Sequence, residues 1–210
     1  MFAGNSLWHL ISQTDALSKA ILLLLLGMSI VCWAVFFFKM FLFQMKRRDI
    51  LAVRAAVKRA ESLNDLGLVA KKYSNTVPGL FVAQIFELAE NPDAQRDSIY
   101  YAIDQLVEDL ILQEESYLPI LSTSAAVAPL LGLFGTVWGL IHAFVGIGES
   151  QMVDIATIAP GIAEALTTTL AGLIVAVPAL VMVNYLTVQV RDLEQHLVRV
   201  GEQIARFVRA

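Results

Sequence analysis

Hydroxyls and one carboxylate stand where this chain is otherwise at its most apolar. In IAPGIAEALTTTLAGLIVAVPAL, residues 158–180, Glu164 is followed by Thr167, Thr168 and Thr169, and in GLFGTVWGLIHAF, residues 132–144, Thr136 interrupts a second apolar run. A threonine hydroxyl both donates and accepts hydrogen bonds. At membrane depth such groups suit a hydrated path for a proton or another ion. They cannot drive it, because threonine does not titrate in a useful range and no Asp, Glu, Lys or Arg lies near the middle of either stretch. The chain can line a path, and a partner must bring the ionisable group. Each group also has a plainer use. A threonine can bond back to the carbonyl four residues earlier or join two helices, and Glu164 can stabilise the positive N-terminal end of a helix.

The elements that must position these residues are membrane spans. The chain has 210 residues, of which 57% are hydrophobic and 16% charged, with a mean hydropathy of +0.66. That is too apolar for an ordinary soluble domain. Three stretches approach or exceed the ~20 apolar residues a helix needs to cross the hydrocarbon: residues 20–38 between Lys19 and Lys39, residues 116–148 between Glu115 and Glu149, and residues 165–190 between Glu164 and Arg191. The first is followed by Lys46-Arg47-Arg48 and not by a small-residue cleavage site, so it reads as a permanent anchor. Nine basic residues lie from Lys46 to Arg96 between spans one and two, four follow span three, and the connector between spans two and three has none. The positive-inside rule then predicts an outside N-terminus and connector and an inside middle segment and tail. The net charge of −4 adds little to this.

The expected division is an outside arm 1–19, transmembrane helix 20–45, cytoplasmic helical segment 46–115, transmembrane helix 116–148, outside connector 149–163, transmembrane helix 164–190 and cytoplasmic helix 191–210. The fold class is an all-α membrane protein whose long helices extend into the cytoplasm. DILAVRAAVKRAESL, PGLFVAQIFELAEN and the tail all show helical spacing. Asn91 and Pro92 are a helix start signal, and with no Gly after them and no Pro before Pro119, one long helix is predicted to rise from there into span two, with bends at Pro119 and Pro129. No strand pattern, nucleotide-binding glycine loop, zinc-ligand spacing or internal repeat stands out. No cofactor, metal or nucleic-acid partner is expected, and no nucleophile and base are spaced for an enzyme. Cys32, the sole cysteine, reads as a packing or lipid-facing residue, and His142 and His196 as packing or surface residues.

Stripes of small residues run along two spans: Ala125, Ala128, Gly132, Gly135, Thr136, Gly139, Ala143 and Gly146 in span two, and Ala165, Thr169, Gly172, Ala176 and Ala179 in span three. Lipid offers no hydrophobic drive for helix association, so close packing must supply it. Spans two and three are therefore expected inside an assembly, with span one facing lipid. At 1.5 Å per residue, Thr136 lies ~18 Å from Gly148 and Thr169 ~13 Å from Pro160. Both fall near the midplane, on antiparallel neighbours.

GLFGTVWGLIHAF, the APGIAEAL…T…GL…A.PAL pattern and the following Asn184 resemble the proton-channel family of ExbB, TolQ and MotA. GLFGTVWG with HAF, and the short arm before GMSIVCWAV, resemble the TolQ branch more than the ExbB branch. MotA, usually with four spans, is the poorer match. The resemblance implies a homo-oligomeric ring, a pentamer, in the bacterial inner membrane around a dimer of a single-pass TolR- or ExbD-like protein whose transmembrane aspartate takes and releases protons. It implies that Thr136 and Thr169 are the pore-lining hydroxyls facing that aspartate, and that Glu164 is the family's glutamate at the outer end. Thr168, Gly132, Gly135, Gly139, Ala165, Gly172, Ala176, Pro178 and Asn184 become secondary pore or packing positions, the small ones making room for the partner. Thr167, Thr168 and Leu170 depart from the usual pattern. Proton-motive force would pass through relative rotation to an envelope-spanning protein of the TonB or TolA type. Two other readings stand beside this: a non-conducting oligomeric scaffold, and an independent ion channel.

Overall fold

A computed structural model describes residues 16–90, 96–150 and 155–207, and every element among them is helical. The elements are α1 (Ala16–Arg59), α2 (Leu63–Lys72), α3 (Val77–Glu90), α4 (Arg96–Glu115), α5 (Leu118–Ser150) and α6 (Ile155–Ala205). Three helices, α1, α5 and α6, are long and apolar enough to cross a membrane. The start signal at Asn91-Pro92, most of the N-terminal arm and residues 151–154 of the connector lie outside the described residues.

Three boundaries differ from the sequence expectation. The helix expected to run unbroken into span two stops at Glu115 and restarts at Leu118, with Tyr117 in the left-handed region at φ 73°. Ser116 Oγ donates to the Gln113 carbonyl at 2.6 Å, closing α4, and Pro119 sits in the first turn of α5, where a missing N–H costs nothing. Pro119 therefore marks a start and not a bend, while Pro129 is carried within α5. Second, the segment read as one helix through Glu61-Ser62-Leu63 is split. Ser62 caps α2, its Oγ accepting from Asp65 N while an Asp65 carboxylate oxygen accepts from Ser62 N. The Glu61 N–H, which also donates to this carboxylate, and then the Ser62 hydroxyl and N–H hold the Asp65 carboxyl below its ordinary range. Third, α6 begins at Ile155 and carries Pro160, so the described end of the connector is already helix.

The chain divides into two compact units. The first takes in the chain up to Phe36 together with Tyr117–Asn184, and the second Phe37–Ser116 with Tyr185–Ala210. In the first unit α1 packs through Ile21 and Leu25 against Ala128 of α5 and Val175 and Ala176 of α6. Leu23, Leu26 and Ile30 on its other side are exposed, as a lipid-facing helix requires. Cys32 is buried. Ala176 thus serves the α1 contact.

The second unit has a core of the water-soluble kind, in which burial of apolar area drives packing. The ends of α1 and α6 each bury one stripe, Ile50, Val53 and Val57 on α1 and Leu197, Val200 and Ile204 on α6. Gly201 lies against Ile103 of α4, where an added Cβ would come within 2.5 Å of the Ile103 side chain. Gly79 of α3 passes so close to the Tyr73 carbonyl that a Cβ would overlap it.

Two polar contacts join α1 to α4 and α6. Glu114 of α4 is buried, and so is Lys39 of α1. The Lys39 ammonium donates to the Glu114 carbonyl oxygen at 2.7 Å and stands 3.8 Å from its carboxylate, whose other oxygen bonds Lys46. Lys39 Nζ also lies 5.9 Å from the centre of the Phe43 ring, within cation–π range. On the other side, Arg54 Nη1 donates to His196 Nδ1 at 3.1 Å, an arrangement that requires a neutral imidazole. Burial first, then the Arg54 and Arg199 charges, hold His196 below its ordinary pKa of 6.5. The unfolded chain therefore binds the proton more readily than the folded one. The contribution is complete above about pH 6.5 and fades as pH falls through the lowered value. Thermal unfolding between pH 7.5 and 5.5 should show this loss, and His196→Asn should flatten the step. An unchanged profile in the variant would remove His196 from it.

Candidate functional site

The two small-residue stripes face each other within one chain. Glycine brings the α5 backbone onto α6 over three turns, so that an added Cβ at Gly132 would lie 2.9 Å from the Thr168 carbonyl, at Gly135 2.5 Å from Thr168 Oγ1, and at Gly139 3.0 Å from Ala165 Cβ. From α6, a Cβ at Gly172 would stand 2.5 Å from the Ala128 carbonyl oxygen and one at Gly161 2.9 Å from Ala143 Cβ. The room these glycines make is filled by the chain's own neighbouring helix. The glycines read in the sequence as making space for a partner thus contact α6 or α5 of their own chain. Gly161 was absent from the stripes read in the sequence, although it continues the Ala165, Gly172 face toward the start of α6.

The Gly172 contact carries a prediction. Its neighbour is backbone, which cannot swing away, so Gly172→Ala must push the helices apart at about 1–3 kcal/mol, the usual cost of overpacking. The purified variant should melt several degrees lower, and an unchanged melting temperature would show that the backbones yield freely.

At the centre of this contact the Gly132 carbonyl gathers hydroxyls from both helices. Thr136 Oγ1, four residues along α5, and Thr169 Oγ1, on α6, each stand 3.0 Å from it, within donating distance. The two hydroxyls also touch each other, and with one proton apiece one donates to the carbonyl while the other donates to its neighbour. Both residues are half-buried and keep part of their surface open. Thr168 differs. It is fully buried, its hydroxyl donates to the Ala165 carbonyl at 2.7 Å and lies 3.4 Å from the Gly132 oxygen, and its side chain fills the space beside Gly135. Thr167 bonds back to Ala163 at 2.7 Å. The three consecutive threonines thus divide: one bonded to its own helix, one a packing wedge, one at the edge with Thr136.

The other sequence-derived positions stand apart from this pair. Glu164 is half-buried, one helical turn before Thr168. Pro178 is half-buried within α6, and Asn184 is exposed six residues further on. Chemically, the Thr136–Thr169 pair holds two donors and a shared acceptor. Either hydroxyl can turn its proton to an arriving group while the other keeps the Gly132 carbonyl satisfied, so the exchange leaves no buried acceptor unpaired.

Comparison with known proteins agrees with this architecture. Residues 73–198 match the model of the MotA/TolQ/ExbB proton channel family. Among similar proteins, the biopolymer transport protein ExbB of Salmonella typhimurium is 30% identical over 209 residues, covering 95% of this chain and 84% of its own. The Tol-Pal system protein TolQ of Pseudomonas aeruginosa is 33% identical over 200 residues, with 86% and 82% covered. That of Haemophilus influenzae is 32% identical over 217 residues, with 93% and 90% covered. With a family model that spans more than half its length and relatives alike over nearly all of it, the chain belongs to the MotA/TolQ/ExbB proton channel family.

Proposed function

We propose that this chain is the channel and stator subunit of an inner-membrane motor. In this reading it is a homo-oligomer, a pentamer, with the N-terminus periplasmic and the tail cytoplasmic. It acts with a single-pass TolR- or ExbD-like partner that carries a transmembrane aspartate, and it drives a TonB- or TolA-like transducer. The observation that carries the reading is the Thr136–Thr169 hydroxyl pair, half open at the edge of a glycine-packed helix contact. Neither hydroxyl can hold the travelling proton. Each can donate to a carboxylate or accept from a carboxylic acid, which suits a site that receives an aspartate in both protonation states. A membrane potential supplies ~2.3 kcal/mol per proton per 100 mV, enough to bias the relative rotation of two oligomers.

One specific observation favours the scaffold reading. Every threonine hydroxyl at this contact already has a partner inside the chain, as helix glue would. Proton flux into proteoliposomes under an imposed potential separates the two. The channel reading expects flux with the single-pass partner present and none with this chain alone. Flux from the chain alone would make it a complete channel, and none in either case would favour the scaffold.

A further inference from the structure

We propose that the second unit docks copy to copy by opposite charge, the basic stripe at the end of α1 in one copy lying against the acidic stripe of α4 in the next. On α4, Asp97, Asp104 and Glu108 stand at positions i, i+7 and i+11, all exposed, with Tyr101 at i+4 66% exposed. On α1, Arg47, Arg54 and Lys58 repeat the same spacing, with Leu51 at i+4 46% exposed. This spacing puts each set on a single helix face. Among the described residues the ion pairs of this unit are those of Glu114 with Lys39 and Lys46, and none joins one stripe to the other.

Inside a copy α6 packs beside both stripes. One groove runs between α1 and α6 and is lined by Lys46, Arg47, Gln189, Asp192 and His196. A second, of about 340 Å³, runs between α4 and α6 and is lined by Asp104, Glu108, Ile111, Leu112, Glu194 and Val198. Gln189 and His196 share one face of α6, and Glu194 and Val198 occupy the far one. Each copy therefore presents the basic stripe of α1 on one side of α6 and, on the other, an acidic groove with an apolar floor. Two unlike complementary faces make a head-to-tail contact, which closes into a ring when the rotation allows.

Register supports the match. Within one copy, Glu114 sits level with the stretch from Lys39 to Lys46, and α4 runs opposite to α1. Six residues along each helix from that contact, Glu108 comes level with Arg47 and Arg48. Eleven further, Asp97 comes level with Lys58 and Arg59. Rotation about an axis along these helices keeps those levels in the neighbouring copy, so acid meets base at both ends of the stripe, Glu108 by Arg47 and Asp97 by Lys58, while Asp104 comes level with Leu51 and Tyr101 with Arg54. Exposed ion pairs are individually weak and screened by salt; repeated around a ring, with Tyr101 and Leu51 between them, they set which side meets which.

This inference rests on the homo-oligomer of the proposed function, and the test separates the two. Full-length chains in lipid nanodiscs, with Cys32→Ala, carry either Asp97→Cys or Lys58→Cys, are mixed during assembly, and are oxidised. The disulfide should form between unlike copies, with like pairs at most about a tenth of that yield. Glu108→Lys in the Asp97→Cys copy should cut the yield about tenfold, as should 0.5 M salt, and Arg47→Glu in the Lys58→Cys copy should restore it. Equal like and unlike yields, no disulfide, or a yield indifferent to Glu108→Lys would overturn the interface. If such chains still carry protons with the single-pass partner, the channel reading survives. A charge-dependent disulfide without any flux overturns the channel and leaves the interface.

Discussion

Glu114→Ala should cost the folded chain about 3–5 kcal/mol, the loss expected when one partner of a buried ion pair is removed. For a protein of this size that is roughly 10 °C in melting temperature. The reason lies with what is left behind. Lys39 is 3% exposed and carries its ammonium among α1 and α4 side chains. Without the carboxylate it keeps one carbonyl bond and loses the opposite charge that offsets its desolvation. Lys46, less buried, can turn to water. Replacing both buried members, Lys39→Met with Glu114→Leu, should recover most of the loss, since well-packed apolar pairs substitute for buried ion pairs at little cost. If the single variant melts as the parent does, the contact contributes nothing to stability. If the double variant is no better than the single, then the loss came from packing and not from charge.

Thr169→Val keeps shape and volume but removes one hydroxyl of the central pair. A hydrogen bond to a charged group contributes about 1.5–3 kcal/mol, so partner-dependent proton flux should fall roughly 10- to 100-fold while the complex still assembles. Thr136 retains its bond to the Gly132 carbonyl, which keeps the helix contact in place. Thr168→Val should act differently. That hydroxyl is buried and turned to its own helix, so its removal should touch stability and leave conduction alone. Equal flux in Thr169→Val and the parent would make Thr169 glue and shift the weight to the scaffold reading.

The sequence disclosed the membrane helices because long uncharged runs leave few alternatives. It also disclosed the Thr136–Thr169 pair, since counting residues from the connector sets depth in a helix of fixed rise. Other features were hidden for physical reasons. A stripe of small residues says that a helix is approached closely, but not by whom; Gly132 and Gly172 meet their own chain, which only coordinates reveal. The Lys39–Glu114 contact joins residues 75 positions apart, and neither neighbourhood hints at burial. The break before span two left one trace, Pro119, which fits a first turn better than a bend. Nothing in Ser116-Tyr117 announces a left-handed residue, because glycine or asparagine would normally stand there.

That left-handed tyrosine bears on how the chain tolerates insertion and deletion. In an unbroken helix one inserted residue turns everything beyond it by about 100°, which in α1 or α6 would swing an entire buried stripe to the wrong side. Between α4 and α5 the periodic phase is already interrupted at Ser116-Tyr117. One added residue there can be taken up by the turn without rotating either the acidic stripe of α4 or the glycine face of α5. Length changes along this lineage should therefore collect at that junction and be rare within α1 and α6.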